Sequence, residues 1–145
     1  MNGNGHIEYS QDEFSISTDT DRLDIAFIHN FLSNAYWSPG IHLDTVKTAV
    51  EHSLCFGLYS LDEQIGFGRV VTDYATLAYM KDVFVIEAYR GRGLGKWLVE
   101  CIMTHPGLRD VRRWVLNTDD AHNLYARFGF VRIETSHTLM VRQGS

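Results

Sequence analysis

The tightest constraint in this sequence lies in residues 83–103. There the apolar run Val83 to Ile86 is followed by Tyr-Arg-Gly-Arg-Gly-Leu-Gly (89–95), and then by Leu94, Trp97, Leu98, Cys101 and Ile102 at helical spacing. A strand that runs through a glycine loop into a helix aims the free N–H groups of the helix start at whatever lies over the loop. Glycines let the backbone approach that ligand closely, and the flanking arginines favour an anion. The segment therefore reads as an interior strand, an anion-binding loop and a packed helix.

The rest of the chain supplies partners for this unit. EFSIST (13–18) alternates as a first strand, and Leu23, Phe27, Ile28, Phe31 and Leu32 mark a helix from about Asp21. Leu43, Val46, Ala49 and Val50 mark a second helix, after which LCFGLY, IGFGRVVTD and LAYMKDVFVI read as three strands, the last buried on both faces. Past the glycine loop and its helix come a strand at RRWVLNT, a helix from about Asp119 to Phe128 stopped by Gly129, and closing strands at FVRIE and HTLMVR. The expected order is β-α-α-β-β-β-α-β-α-β-β. It describes an α/β, mixed α+β fold: a twisted, mostly antiparallel sheet of about seven strands with about four helices on its faces. At 145 residues this is the length of one domain, taken as 1–145 with residues 1–8 as a loose tail.

Composition removes several classes of function. Hydrophobic residues at 45% and charged residues at 21% are ordinary globular usage. No apolar run approaches a membrane span, and the N-terminus lacks a signal-peptide pattern, so a cytoplasmic protein without a membrane partner is expected. Cys55 and Cys101 sit in apolar stretches and read as buried free thiols, and the seven histidines form no metal-ligand spacing, so no metal is expected. The net charge of −5 hides an asymmetry: residues 1–64 hold ten acids and two bases, whereas residues 65–145 hold eight acids and eleven bases. No basic stripe argues for nucleic acid.

Three phosphate-binding patterns compete for the glycine loop. A Walker A loop fails because Trp97 follows Lys96, and a Rossmann fingerprint fails because position 96 is lysine. Arg90, Gly93 and Gly95 instead fit R/Q-x-x-G-x-G/A, and DAHNLYARFGF (120–130) fits A-x-x-L-Y-x-x-x-G-F through Ala121, Leu124, Tyr125, Gly129 and Phe130. With these two blocks one strand apart, the chain resembles the GNAT acyl-CoA N-acyltransferases from about residue 13 to 142.

That resemblance implies a fold in which the strand before the loop splays from its neighbour and pairs with the pantetheine arm of acetyl-CoA, a role that would fall to Val83, Phe84 and Val85. The loop residues Arg90, Gly91, Arg92, Gly93, Leu94, Gly95 and Lys96 would hold the pyrophosphate. Thr118 stands where the family often has asparagine, which leaves Asn117 or Asn123 to supply that contact. Acetyl transfer to an amine needs a proton donor for the departing thiolate, and the resemblance gives this role to Tyr125. Asp82, Asp73 and Glu87 are the nearby carboxylates for the base, with Asp82 on the interior strand the first candidate; His122 shares a helix face with Tyr125.

The acceptor would enter past Tyr36, Trp37, Asp73, Tyr74 and Tyr79. Because the acidic half of the chain should form this lip, a small or flexible cationic amine is expected there, with Asp73 nearest its charge. The resemblance also allows a homodimer. The alternative function is a non-catalytic acyl-CoA sensor on the same fold.

Overall fold

The structure is a computed structural model, and it describes residues 5–133 and 138–144. Among these residues six strands form one sheet: β1 (Glu8–Gln11), β2 (Phe14–Ser17), β3 (Leu54–Ser60), β4 (Glu63–Thr72), β5 (Ala78–Val85) and β6 (Trp114–Val115). They lie in sequence order across the sheet, all antiparallel except the parallel pair β5 and β6. Four helices cover it: α1 (Ile25–Ser33), α2 (Leu43–Glu51), α3 (Leu94–Met103) and α4 (His122–Ala126). This is the mixed sheet with helices on its faces that the sequence predicts, with six strands in place of about seven.

Each face of the sheet buries its own apolar set. On one side Leu94, Leu98, Val99, Cys101 and Ile102 of α3 pack on Phe56, Leu58, Val70, Ala78 and Met80. On the other, Ile28 and Leu32 of α1 and Val46 and Val50 of α2 pack on Cys55, Phe67 and Phe84. The helical stripes read from the sequence are thus the ones that meet the sheet. Asp24 starts α1 by accepting a hydrogen bond from the Phe27 N–H at 3.0 Å, and the Gln64 side chain accepts from the Asp24 N–H at 2.8 Å. Both cysteines are buried free thiols, and burial pushes each up to about 12.

Four local readings differ from the structure. The end of the expected tail is tied down: the Ile7 N–H donates to the Thr18 hydroxyl at 2.8 Å, and β1 pairs with β2 from Glu8↔Ser17 to Gln11↔Phe14, across a tight turn in which Asp12 adopts φ 56°. Only Tyr9 in Glu-Tyr-Ser-Gln is apolar, so an exposed edge strand leaves almost no alternation to detect. β6 has two residues instead of seven because its continuation, Leu116 to Thr118, diverges from β5. α4 begins at His122 after the Thr118 hydroxyl accepts the Ala121 N–H at 3.0 Å.

The expected closing strands fall partly outside the described residues, at 134–137. Their described parts, 130–133 and 138–144, are irregular. Phe130 still packs on Tyr125 and Trp114, but Val131 and Met140 are 83% and 92% exposed, and the backbone at these described positions is irregular.

Gly66 sits where β4 shifts register against β3 and lies against β5. A Cβ there would meet the Phe84 carbonyl oxygen at 2.7 Å and Leu58 Cδ2 at 2.9 Å. Since backbone cannot move aside cheaply, Gly66→Ala should destabilise the fold by about 1–3 kcal/mol. Urea denaturation would show this as a lower midpoint at unchanged slope, and an unchanged midpoint would contradict the packing described.

Candidate active site

β5 and β6 pair only at Ala78↔Trp114 and Tyr79↔Val115. Beyond Tyr79 the two strands part, and the wedge between them opens into a cavity of about 400 Å³. One wall is Tyr79 to Val83 of β5. The opposite wall is Leu116 to Asp119 with Ala121 and Tyr125, and Tyr36 and Trp37 from the α1–α2 connection close an end.

An irregularity in β5 shapes the first wall. Between Arg69↔Lys81 and Phe67↔Phe84 the ladder gives β5 one residue more than β4, and Asp82 adopts φ 55°. Such a bulge re-aims side chains. Met80 and Val83 belong to the α3 side of the sheet, whereas Asp82 turns to the α1–α2 side, where it meets Arg69 and Trp37. Asp82 Oδ2 accepts from Arg69 Nε and Oδ1 from Trp37 Nε1, both at 2.9 Å. A second Arg69 nitrogen, Nη1, donates to Ser53 Oγ at 3.0 Å. The Arg69 and Asp82 side chains are 12% and 8% exposed, so this pair is largely withdrawn from water.

Tyr125 faces the cavity from α4. Ala121, Leu124 and Phe130 join Tyr125 in the α3-side core, and Phe130 meets its ring edge-on at 5.9 Å between centroids. The hydroxyl has no hydrogen-bond partner among the described residues. Burial, with smaller contributions from Asp120 and Tyr36, pushes the phenol up to about 12. Tyr125 is therefore neutral, with its proton in place, at any ordinary pH. Tyr36 and Tyr125 both line this cavity.

At the other end of β5, Gly91 and Gly93 adopt φ 81° and 79°, a conformation that side chains other than glycine rarely accept. α3 then begins at Leu94 with no side-chain cap. Among the described residues nothing accepts the N–H groups of Gly91, Arg92, Gly93, Leu94, Gly95 or Lys96. A Cβ at Gly91 or Gly93 would meet nothing within 4 Å, so the space over the loop is open. Six uncommitted N–H groups at the start of a ten-residue helix suit a phosphate. Arg92 lies over the Tyr89 ring at 5.1 Å, and Arg90 Nε donates to the Val85 carbonyl at 2.8 Å, so part of each arginine shapes the loop itself.

The structure thus brings Tyr36, Trp37, Asp82, Val83, Asn117 and Tyr125 around one cavity, with Tyr79 beside them. The Asn117 amide donates to the Tyr79 hydroxyl, which ties the two walls together. Phe84 points away, stacked on Phe31 at 3.7 Å. Other expected residues lie elsewhere. Asn123 is exposed on α4 and does not line the cavity, and neither does His122.

Asp73 and Tyr74 sit in the β4–β5 turn, away from the cavity. The Asp73 carboxylate accepts from the Thr76 hydroxyl and from the Ala75, Thr76 and Leu77 N–H groups, which hold it well below the usual carboxylate range. It is a turn-forming group, which explains an aspartate there without a ligand. Nor is the cleft acid-lined: it carries Lys81 and Asp119, and the Asp82 charge is matched by Arg69. Arg69 and Lys81 were not singled out from the sequence; only the register of β4 against β5 places Lys81 on the cavity wall and Arg69 beside Asp82.

With this geometry described, comparison with known proteins places the chain in a family. The profile of the acetyltransferase (GNAT) domain family covers residues 51–132. The chain belongs to the GNAT family. A crystal structure from Xanthomonas campestris pv. campestris, assigned as a GNAT-family acetyltransferase, is 46% identical, with 90% of this chain and 93% of that one covered and a TM-score of 0.86. A Gibberella zeae protein assigned as an acetyltransferase is 26% identical over 140 residues, spanning 82% of this chain and 79% of its own. The glucosamine-6-phosphate N-acetyltransferase of Arabidopsis thaliana shares the fold at 17% identity, with 89% of this chain and 99% of that one covered and a TM-score of 0.61.

In this GNAT chain the environment of Tyr125 has a consequence for stability. Its folded value, about 12, lies above the ordinary phenol value of 10.0, so the unfolded chain releases this proton first and gains stability relative to the fold as pH rises from about 10. Tyr125→Phe should therefore lose less stability than wild type between about pH 9 and about pH 11, measured by urea denaturation at each pH. Parallel losses in the two proteins would contradict the burial of an uncharged phenol.

Proposed function

We propose that this GNAT chain is an acetyl-CoA-dependent N-acetyltransferase, which moves an acetyl group to a primary amine by direct attack in the cleft between β5 and β6. One observation carries the reading: a neutral, unpartnered phenol, Tyr125, lines the same cleft whose β5 wall leads into a loop of free N–H groups. Acetyl-CoA, when bound, supplies an acyl group activated as a thioester. The loop from Gly91 to Lys96 fits its pyrophosphate by the free backbone donors and the charges of Arg90, Arg92 and Lys96. Val83, Phe84 and Val85 fit the pantetheine arm because β5 has no neighbour on its β6 side beyond Tyr79.

The chain's own groups then divide the work. The cleft holds the amine against the acyl carbon, so that a C–N bond forms as the C–S bond breaks. Tyr125 gives its hydroxyl proton to the departing sulfur, a proton the buried phenol carries at any ordinary pH. The proton lost by the amine passes to water in the open cleft. Asp82 is less suited to take it, since its two oxygens already accept from Trp37 and Arg69. Its place is in the wall. The acceptor enters at the aromatic end, past Tyr36, Trp37 and Tyr79.

The test is release of free thiol from acetyl-CoA with a panel of amines. Wild type should turn over at least one amine, and Tyr125→Phe should lower kcat about 10²-fold while CoA affinity stays within a few fold. Unchanged turnover in Tyr125→Phe would remove Tyr125 from the chemistry. CoA binding without thiol release from any amine would favour a sensor.

A further inference from the structure

Two of the large aromatic residues at the acceptor end are exposed yet held in place. Tyr36 is 60% and Trp37 42% exposed, in the irregular connection between α1 and α2. An exposed aromatic pair on a loop would ordinarily be mobile. Here the Trp37 ring meets Tyr36 edge-on at 5.1 Å and Phe31 at 6.2 Å, and its one N–H is taken by Asp82 Oδ1 at 2.9 Å. The acceptor of that bond is itself fixed twice over: by the left-handed backbone of the bulge, and by Arg69 Nε at 2.9 Å. Arg69 is anchored in turn on Ser53 Oγ at 3.0 Å, just before β3. Arg69 itself is not part of the cavity lining.

We propose that Arg69 is a positioning residue for the acceptor: through Asp82 it fixes Trp37, and through Trp37 it sets where Tyr36 stands against Tyr125 and how wide the acceptor end of the cleft is. The proposal rests on the reading of this cleft as the acetyl-transfer site, and it adds a residue that touches neither substrate. The geometry favours positioning over stabilisation alone. A largely buried ion pair contributes little net stability against apolar residues of the same volume, whereas it fixes direction well when every partner is bonded. In this chain every polar link, from Ser53 through Arg69 and Asp82 to Trp37, is within 3.0 Å. Lysine in place of Arg69 would keep the charge and lose the fork that bonds two partners at once.

Two variants separate this from a direct contact. Arg69→Lys keeps a cation beside Asp82, and Trp37→Phe keeps a ring and deletes the N–H. Each should raise KM for the acceptor about tenfold, the equivalent of one hydrogen bond to a charged group, with KM for acetyl-CoA little changed. Because both break the same chain, the double variant should be no worse than the poorer single one. The indole proton of Trp37, assigned by its loss in Trp37→Phe, should exchange with solvent faster in Arg69→Lys than in wild type.

Unchanged acceptor KM in Trp37→Phe would overturn the proposal, as would effects that simply add, or indole exchange in Arg69→Lys equal to wild type. Trp37 is exposed, so its variant keeps the kinetic test available if Arg69→Lys does not fold. Should wild type release no thiol with any amine, the acetyl-transfer reading fails. The indole exchange then decides separately whether Arg69 holds Trp37.

Discussion

A single residue with left-handed backbone, Asp82 at φ 55°, organises this protein's cleft. For a residue with a Cβ that conformation costs on the order of 1–2 kcal/mol, less for aspartate than for most. The cost is offset where the structure over-determines it, here by Arg69 and Trp37 on the two carboxylate oxygens. The bulge adds a residue to β5 opposite Gly68 and turns Asp82 to the face where α1 and α2 pack. Already beyond Tyr79, before the bulge, no described strand pairs with β5 on its β6 side, and the wedge there becomes the cavity whose wall the bulge shapes.

The same geometry separates two chemical environments along β5. Toward its C-terminal end lie the positive-φ glycines, the free N–H groups and the arginines, which form a site for negative charge. Toward its middle lie Tyr36, Trp37, Tyr79 and Tyr125, an aromatic enclosure with few uncommitted charges. On the proposed function, the two environments would receive the phosphates and the thioester of one acyl donor. The opposed packing of α3 and of α1 with α2 keeps the β5 between these environments rigid, with Met80 and Phe84 buried on opposite faces.

Much of this was legible in the sequence. The glycine loop, the helix stripe of α3 and the A-x-x-L-Y-x-x-x-G-F block carry local signals, and each sits where its spacing implies. Tyr36 and Trp37, expected near the cleft from the family resemblance, do line the cavity. Asp73 misled for a physical reason: an aspartate in a turn and an aspartate at a binding site look alike until its four hydrogen bonds to the turn are seen. Charge asymmetry counts acids without placing them, and of the described acids only Asp82 and Asp119 line the cavity. Arg69 was invisible because its partner, Asp82, is thirteen residues away, and a bulge that no sequence pattern marks turns it to the shared face. At the end of the described chain, Val131, Ile133 and Met140 stand exposed in irregular backbone, which apolar alternation alone does not foresee.

The account stands on the claim that the β5 cleft and its glycine loop form one continuous binding site. Titration of CoA into isotope-labelled protein, followed by backbone amide NMR shifts, tests this most directly. The account predicts that the amides of Gly91 to Lys96 and of Val83 to Val85 move together along one binding curve, and that Gly93→Asp abolishes both sets of shifts. Shifts confined to any other surface, or retained in full by Gly93→Asp, would contradict it.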